Sequence, residues 1–398
     1  MKALFTTNPG IGHFLPMVPV ARALERAGHE VRFATSRLFH PTVERYGLRA
    51  IAAGLPWAQA DATATFPELA GLSPSELANH YLGDIFADVA AHAMVPDLLE
   101  IARDWQPDII VRNDFEFGSC VAAEVLDIPQ ATVSICFYLE DTMLEPMIGD
   151  QLAYLRSAHG LAPYPPLEMR HRGLYLSFTT AGFQPCVRPG MHALRPIPLE
   201  TTPAGELPDW FADMPERPLV YMSLSSVYHV PSLLPTVLEG LRDEPVNLIV
   251  TIGRGQDPAQ YGPQPPHIHI VPFIPQAALF PHCDLFITHS PFATMMAALN
   301  DGVPLLITPF TGESPVGARR AQELEFGLAL RLAGHSSPLL PPGLPELSPA
   351  TVRAACRELI GDPKYRANAR RIQQELALLP GPEHTVALLE QCAAACAR

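Results

Sequence analysis

The stretch HCDLFITHSPFATMMAALNDGVPLLITPF, His282 to Phe310, decides how the chain is read. CDLFITHS is a short apolar run of strand type, ATMMAALNDG a helix closing on glycine, and VPLLITP a second strand. Two strands joined through a helix run parallel, which makes this a unit of an α/β sheet. The turn between the first strand and the helix carries His289, Ser290, Pro291, Phe292, Ala293 and Thr294. A helix that opens directly after a strand presents N–H groups to an anion, but Pro291 has none to present. Read as helix chemistry, Ser290 is the N-cap and Pro291 the first helical residue.

The same alternation extends outward in both directions. LVYMSLSS, VNLIVTIG and HIHIVPF precede this unit as strands, with SLLPTVLEGLRD as a helix between the first two. In the first half KALFTT and EVRFAT flank the helical FLPMVPVARALERAG, and PDIIVRND and the end of FGSCVAAEVLDIPQATVSIC add further strands. The fold class expected is α/β, with two Rossmann-like doubly wound domains facing across a cleft. The proline-rich Val187 to Pro218 has no sustained period and reads as a linker. The expected division is 1–195, a linker at 196–217, 218–378, and a last helix over 379–398 that packs back toward the first domain.

Composition bounds the function. The 398 residues suit two domains, and 48% hydrophobic residues supply two cores without a disulfide framework. A net charge of −14 repels nucleic acid. The seven cysteines are scattered without a C-x-x-C pair, so neither a zinc site nor a stapled fold is indicated, and free buried thiols are expected. The opening MKALFTTNPGIGHF lacks the long apolar core of a signal peptide, and no run of about 18 apolar residues marks a membrane span, so the expected location is the cytoplasm.

Ligands of such sheets sit beyond the carboxyl ends of the strands. The first strand ends in TTNPGIGHFLP, where Gly10 and Gly12 open the backbone and His13 begins the helix. The positive end of the helix dipole would keep His13 neutral and competent as a base. An orienting carboxylate is offered by Asp114 or Glu116 in PDIIVRNDFEFG, although Asp114 could equally cap the helix beginning near Glu116.

GHFLPMVPVARALERAGHEVRFAT, PFIPQ, and the block from CDLFITH to GVPLLITP resemble the GT-B glycosyltransferases that use nucleotide-activated sugars, particularly the bacterial natural-product branch. The resemblance implies an inverting, metal-independent transfer of a sugar from a dTDP or UDP donor to a hydrophobic aglycone. His13 would be the base and Asp114 its acidic partner. Phe273, Ile274 and Gln276 fall where that family holds the nucleoside, and Ser225 and Ser226 at a phosphate-facing turn. His289, Ser290, Phe292, Ala293 and Thr294 replace the family's H-G-G-x-G-T diphosphate turn, from which all three glycines are gone. Glu313 and Ser314 stand for an acidic-Gln pair that grips sugar hydroxyls, a change suited to a deoxysugar. Acceptor contacts would come from Gly12, Phe14, Phe137 and Tyr138, within a half rich in Phe, Met, Leu and Tyr. No tightly bound cofactor, metal or nucleic acid is expected, and a monomer or homodimer is. Two other readings remain at this level, a catalytically silent homologue serving a partner protein, and a GT-B frame turned to another donor or reaction.

Overall fold

The structure is a computed structural model that describes residues 1–184, 190–197, 206–224, 230–253, 256–310, 312–334 and 340–396. It forms two units, one of Met1–Arg195 with Leu379–Arg398 and one of Pro196–Leu378. Both are parallel sheets covered by helices. The expected linker lies partly outside the described residues, and Ser225 and Ser226 lie wholly outside them.

In the first unit the strands are β1 (Lys2–Thr6), β2 (Glu30–Thr35), β3 (Ala50–Ala52), β4 (Ile109–Asn113), β5 (Gln130–Val133), β6 (Leu174–Ser177) and β7 (Met191–Ala193). Their order is β3-β2-β1-β4-β5-β6-β7, with every neighbouring pair parallel. A central parallel strand is covered on both faces, which is why β1 and β4 read as nearly unbroken apolar runs. Arg112 is the exception in β4: it is buried, and its guanidinium donates to the Asn113 and Asp114 carbonyls at 2.9 and 3.3 Å.

The helix Val18–Arg26 between β1 and β2 buries Val18, Val20, Ala21 and Leu24. It stops because Gly28 takes φ 86° and the His29 N–H turns back to the Leu24 carbonyl at 3.0 Å, a termination that glycine adopts at low cost. One face of the sheet packs Leu4, Ala34, Ile110, Leu98, Trp105 and Ala122. A second cluster, rich in aromatics, gathers Trp57, Phe66, Tyr81, Phe86 and Phe117 with Leu144, Ile148 and Leu152. The segment Tyr81–Val89 is wound as a π-helix leading into the helix Ala90–Trp105. Such winding re-aims side chains relative to an ordinary helix, and Phe86 lies within it. The closing helix, His384–Cys396, returns to this unit, with Leu389 fully buried and the Cys392 thiol 3.6 Å from the Gln130 carbonyl.

The second unit holds β8 (Leu219–Ser223), β9 (Asn247–Thr251), β10 (Ile268–Val271), β11 (Leu285–Thr288), β12 (Leu305–Ile307) and β13 (Gly327–Ala329), in the order β10-β9-β8-β11-β12-β13 and again parallel. Relative to the first strand of each unit the order is that of a doubly wound sheet, and the chain reverses beside β1 and beside β8. Val220, Leu248, Val250 and Ile287 form its core with Leu234, Val237, Val352 and Leu359 from the helices. Cys120, Cys283 and Cys356 are buried free thiols. No helix among the described residues is long and apolar enough to cross a membrane.

A buried ion pair ties the two helices that flank the first unit's loops. Arg156, in Asp141–Ala158, donates to both carboxylate oxygens of Glu124, in Gly118–Leu126, at 2.7 and 3.1 Å, with side chains 4% and 11% exposed. Glu124→Ala would leave the guanidinium buried without its anion, and a loss of about 3 kcal/mol is expected. Urea unfolding measures this, and a loss of only a few tenths would show the pair to contribute no more than a surface pair.

Candidate active site

The turns leaving β1 and β4 are stitched together. Asn8 donates through Nδ2 to the Phe115 carbonyl at 2.8 Å, and Asn113 through Nδ2 to Thr7 Oγ1 at 3.0 Å. This is where the strand order reverses, the place at which doubly wound sheets hold ligands. His13 sits here in a single helical turn, Ile11–Phe14, which passes through a short 3-10 segment into Val18–Arg26.

The His13 ring is 9% exposed, edge-on to Phe86 at a centroid distance of 5.1 Å and tilted against Phe115 at 6.2 Å. Its Nδ1 is sealed from solvent without a hydrogen-bond partner, whereas Nε2 is not sealed in this way. Burial pushes its pKa down to about 4, and the Asn113 side chain, close enough to favour the protonated ring, only partly offsets this. His13 is therefore neutral above that pH. Loss of hydration against an aromatic wall is the leading cause that keeps the ring unprotonated.

Asp114 does not hold His13. Its Oδ1 accepts from the Tyr175 hydroxyl at 2.6 Å and its Oδ2 from the Ile135 N–H at 2.8 Å. Burial raises the Asp114 pKa, while the Tyr175 and Ile135 donors and the Arg170 and Arg112 charges oppose the rise. The carboxylate thus pins the loop after β5 to β6. Nor is Asp114 a helix cap: Glu116 accepts from the Ser119 N–H at 3.2 Å, at the mouth of the helix Gly118–Leu126. The group beside the base is Asn113, whose Oδ1 also accepts from the Phe115 N–H at 2.9 Å.

The acceptor residues expected from sequence divide. Phe14 is fully buried and meets Phe33, Phe39 and Tyr46 edge-on at 5.2 to 5.7 Å, so its ring serves the core and offers no face to a ligand. Gly12 is exposed, and a side chain there would meet open space. Phe137 is buried and stacked on Phe183 at 5.8 Å. Tyr138 is half-buried, held by paired bonds with Gln184 at 3.0 and 2.9 Å, its ring against Tyr175.

In the second unit Phe273 is 41% exposed and so is not core, while Ile274 is buried. Gln276 begins a short helix, and its Nε2 donates to the Tyr221 hydroxyl at 2.8 Å. The turn after β11 differs from expectation. Ser290 is no N-cap: it takes φ 67°, is fully buried, donates its N–H to Thr288 Oγ1 at 3.0 Å, and points its hydroxyl at Met295 Sδ. Pro291 becomes the N-cap of Phe292–Asn300. His289 is half-buried against Phe310 at 5.0 Å, and lost hydration holds its pKa down to about 4. The Phe292 N–H donates to Glu313 Oε1 at 3.4 Å, so a carboxylate from the chain itself lies at the mouth of this helix. The Ala293 and Thr294 N–H groups make no hydrogen bond among the described residues. Ser314 is buried at the start of the helix Ser314–Glu323. Among the described residues no group of three or more His, Cys, Asp or Glu could hold a metal ion.

Replacing Asn113 with a carboxylate should stabilise the imidazolium and raise the His13 pKa by about a pH unit or more. NMR titration of the His13 ring in Asn113→Asp measures it, and an unmoved pKa would mean that residue 113 does not reach the ring.

The N-terminal-domain model of the erythromycin biosynthesis protein CIII-like family matches residues 22–151 and its C-terminal-domain model residues 236–392, together more than half of the chain. The chain is 28% identical to the 4'-demethylrebeccamycin synthase of Lentzea aerocolonigenes, covering 98% of this chain and 99% of that protein. It is also 28% identical to the aclacinomycin-T 2-deoxy-L-fucose transferase of Streptomyces galilaeus, covering 99% and 96%. The glycosyltransferase VinC, solved in complex with dTDP, superposes with a TM-score of 0.78 at 26% identity over 99% of this chain and 100% of that one. With the paired doubly wound sheets, these matches place the chain in the erythromycin biosynthesis protein CIII-like family, as a glycosyltransferase of GT-B fold related to enzymes of antibiotic pathways.

Proposed function

We propose that the protein transfers a deoxysugar from a dTDP-sugar to a hydroxyl of a hydrophobic natural-product aglycone, with inversion and without a metal ion. The observation that carries this reading is His13, a neutral imidazole with one sealed nitrogen and one open nitrogen, set against Phe86 and Phe115 where the strand order reverses. The open Nε2 takes the acceptor proton. The freed oxygen bonds to the anomeric carbon on the face opposite the diphosphate, the anomeric C–O bond breaks through an oxocarbenium-like state, and its electron pair leaves on dTDP.

The donor reading draws on the dTDP complex of VinC and on the deoxysugar named for the Streptomyces galilaeus relative. In this chain the Ala293 and Thr294 N–H groups and the positive end of their helix would face the diphosphate, with Phe273 exposed for the base and Gln276 beside it. Residues 1–195 would carry the acceptor and 218–378 the donor.

Calorimetric titration with dTDP, UDP and GDP in the absence of metal tests the donor. Micromolar binding of dTDP is expected, and no binding of any of the three would overturn the reading. His13→Ala should abolish turnover and leave dTDP affinity unchanged, and full activity in that variant would remove the base. The neutral ring is the active form and is lost as pH falls through the folded pKa, so the acidic limb of kcat/KM is expected near 4. Glu313→Gln removes a negative charge from the mouth of the donor helix, so dTDP should bind several-fold more tightly. Weaker binding of dTDP itself would show that the carboxylate does not oppose the phosphates.

A further inference from the structure

We propose that Gln59 positions the acceptor: its carboxamide receives a second oxygen on the carbon next to the one whose hydroxyl His13 deprotonates. This rests on the reading of His13 as the base and adds the class of acceptor, a planar or polycyclic apolar body bearing two oxygens on neighbouring carbons.

Gln59 opens the short 3-10 turn Gln59–Asp61, and its N–H donates to the Pro9 carbonyl at 2.9 Å, which fixes it over the turn leaving β1. Gly10 stands beneath it with φ −131° and ψ 139°, an extended conformation open to any residue. What a side chain there would displace is the Gln59 carboxamide in its present place. A Cβ on Gly10 would lie 2.0 Å from Gln59 Oε1 and 3.3 Å from His13 Cδ2, the carbon bonded to Nε2. The missing side chain thus leaves room for a carboxamide next to the open edge of the base.

That carboxamide is half-buried and makes no hydrogen bond with any described residue. Its N–H and C=O groups can meet either a hydroxyl or a carbonyl, and Phe86 and Phe115 supply the apolar wall for the body of the ligand. One hydroxyl on Nε2 and a neighbouring oxygen on Gln59 would fix which hydroxyl of a polyhydroxylated aglycone is presented.

The test compares two probes without any sugar donor: 2,3-dihydroxynaphthalene, with neighbouring oxygens, and 2-naphthol, with one. Affinities by titration calorimetry should show the wild type preferring the diol about five- to tenfold, the value of one neutral hydrogen bond. Gln59→Ala should erase that preference while leaving 2-naphthol affinity and thermal midpoint unchanged. Gly10→Ala, whose methyl displaces the carboxamide, should erase it as well. Equal affinity of the wild type for the two probes, including no measurable binding of either, or a preference that survives in Gln59→Ala, overturns the proposal. Because no donor is present, this outcome is separate from failure of the transferase reading, which would show in the dTDP titration and in the turnover of His13→Ala.

Discussion

The parallel pairing of β1 with β2 on one side and β4 on the other is the constraint on which the first unit depends. Phe5 lies in register with Phe33 and Val111, so the three strands end together at one edge of the sheet. The connections leaving β1 and β4 must then part to opposite faces, because each feeds a right-handed crossover on its own side. Backbone and side-chain polar groups exposed by that parting have to be satisfied locally. Asn8 and Asn113 do this by bonding across the gap to Phe115 and Thr7. His13 and the aromatic wall are thereby brought onto a rigid frame.

The second unit shows the same frame under altered chemistry. Ser290 stands where the resembled glycosyltransferase turn carries glycine, and its φ of 67° is one that glycine adopts most easily. Burial and the bond from its N–H to Thr288 hold it there against a cost of about 1 kcal/mol. The backbone path after β11 is set by the strand and the helix on either side. The N–H count at the helix mouth is set by sequence, and Pro291 reduces it by one. With Glu313 at the same mouth, this turn is less favourable to an added anion than an open helix terminus.

A compensation of a different kind acts at the base. Apolar burial makes His13 neutral and weakly basic, and the polar side chain that favours its protonated form is an amide, Asn113. A carboxylate in that position would favour the imidazolium formed during proton transfer. The chain has one a single residue away, Asp114, but spends it on Tyr175 and Ile135.

Local pattern made much of the chain legible. The apolar runs of β1, β4 and β11, the helix ending at Gly28, and the placement of His13 and His289 just beyond strands all follow from periodicity and turn chemistry, which act over a few residues. Three features did not follow. Successive side chains at the end of a strand point to opposite faces, so whether Asn113 or Asp114 meets the ring turns on a one-residue register that composition cannot reveal. Phe14 adjoins the base in sequence, yet its direction from the helical turn takes it into the core. Gln59 is brought to Gly10 and His13 only by the packing of the loop around Trp57, and no local signal marks it. The sequence alone determined the doubly wound frame and the strand ends that carry chemistry, because hydrogen bonding and hydrophobic period are local constraints. Only the tertiary structure decided which polar groups stand beside the base, because side-chain direction and the joining of distant loops depend on how the whole unit packs.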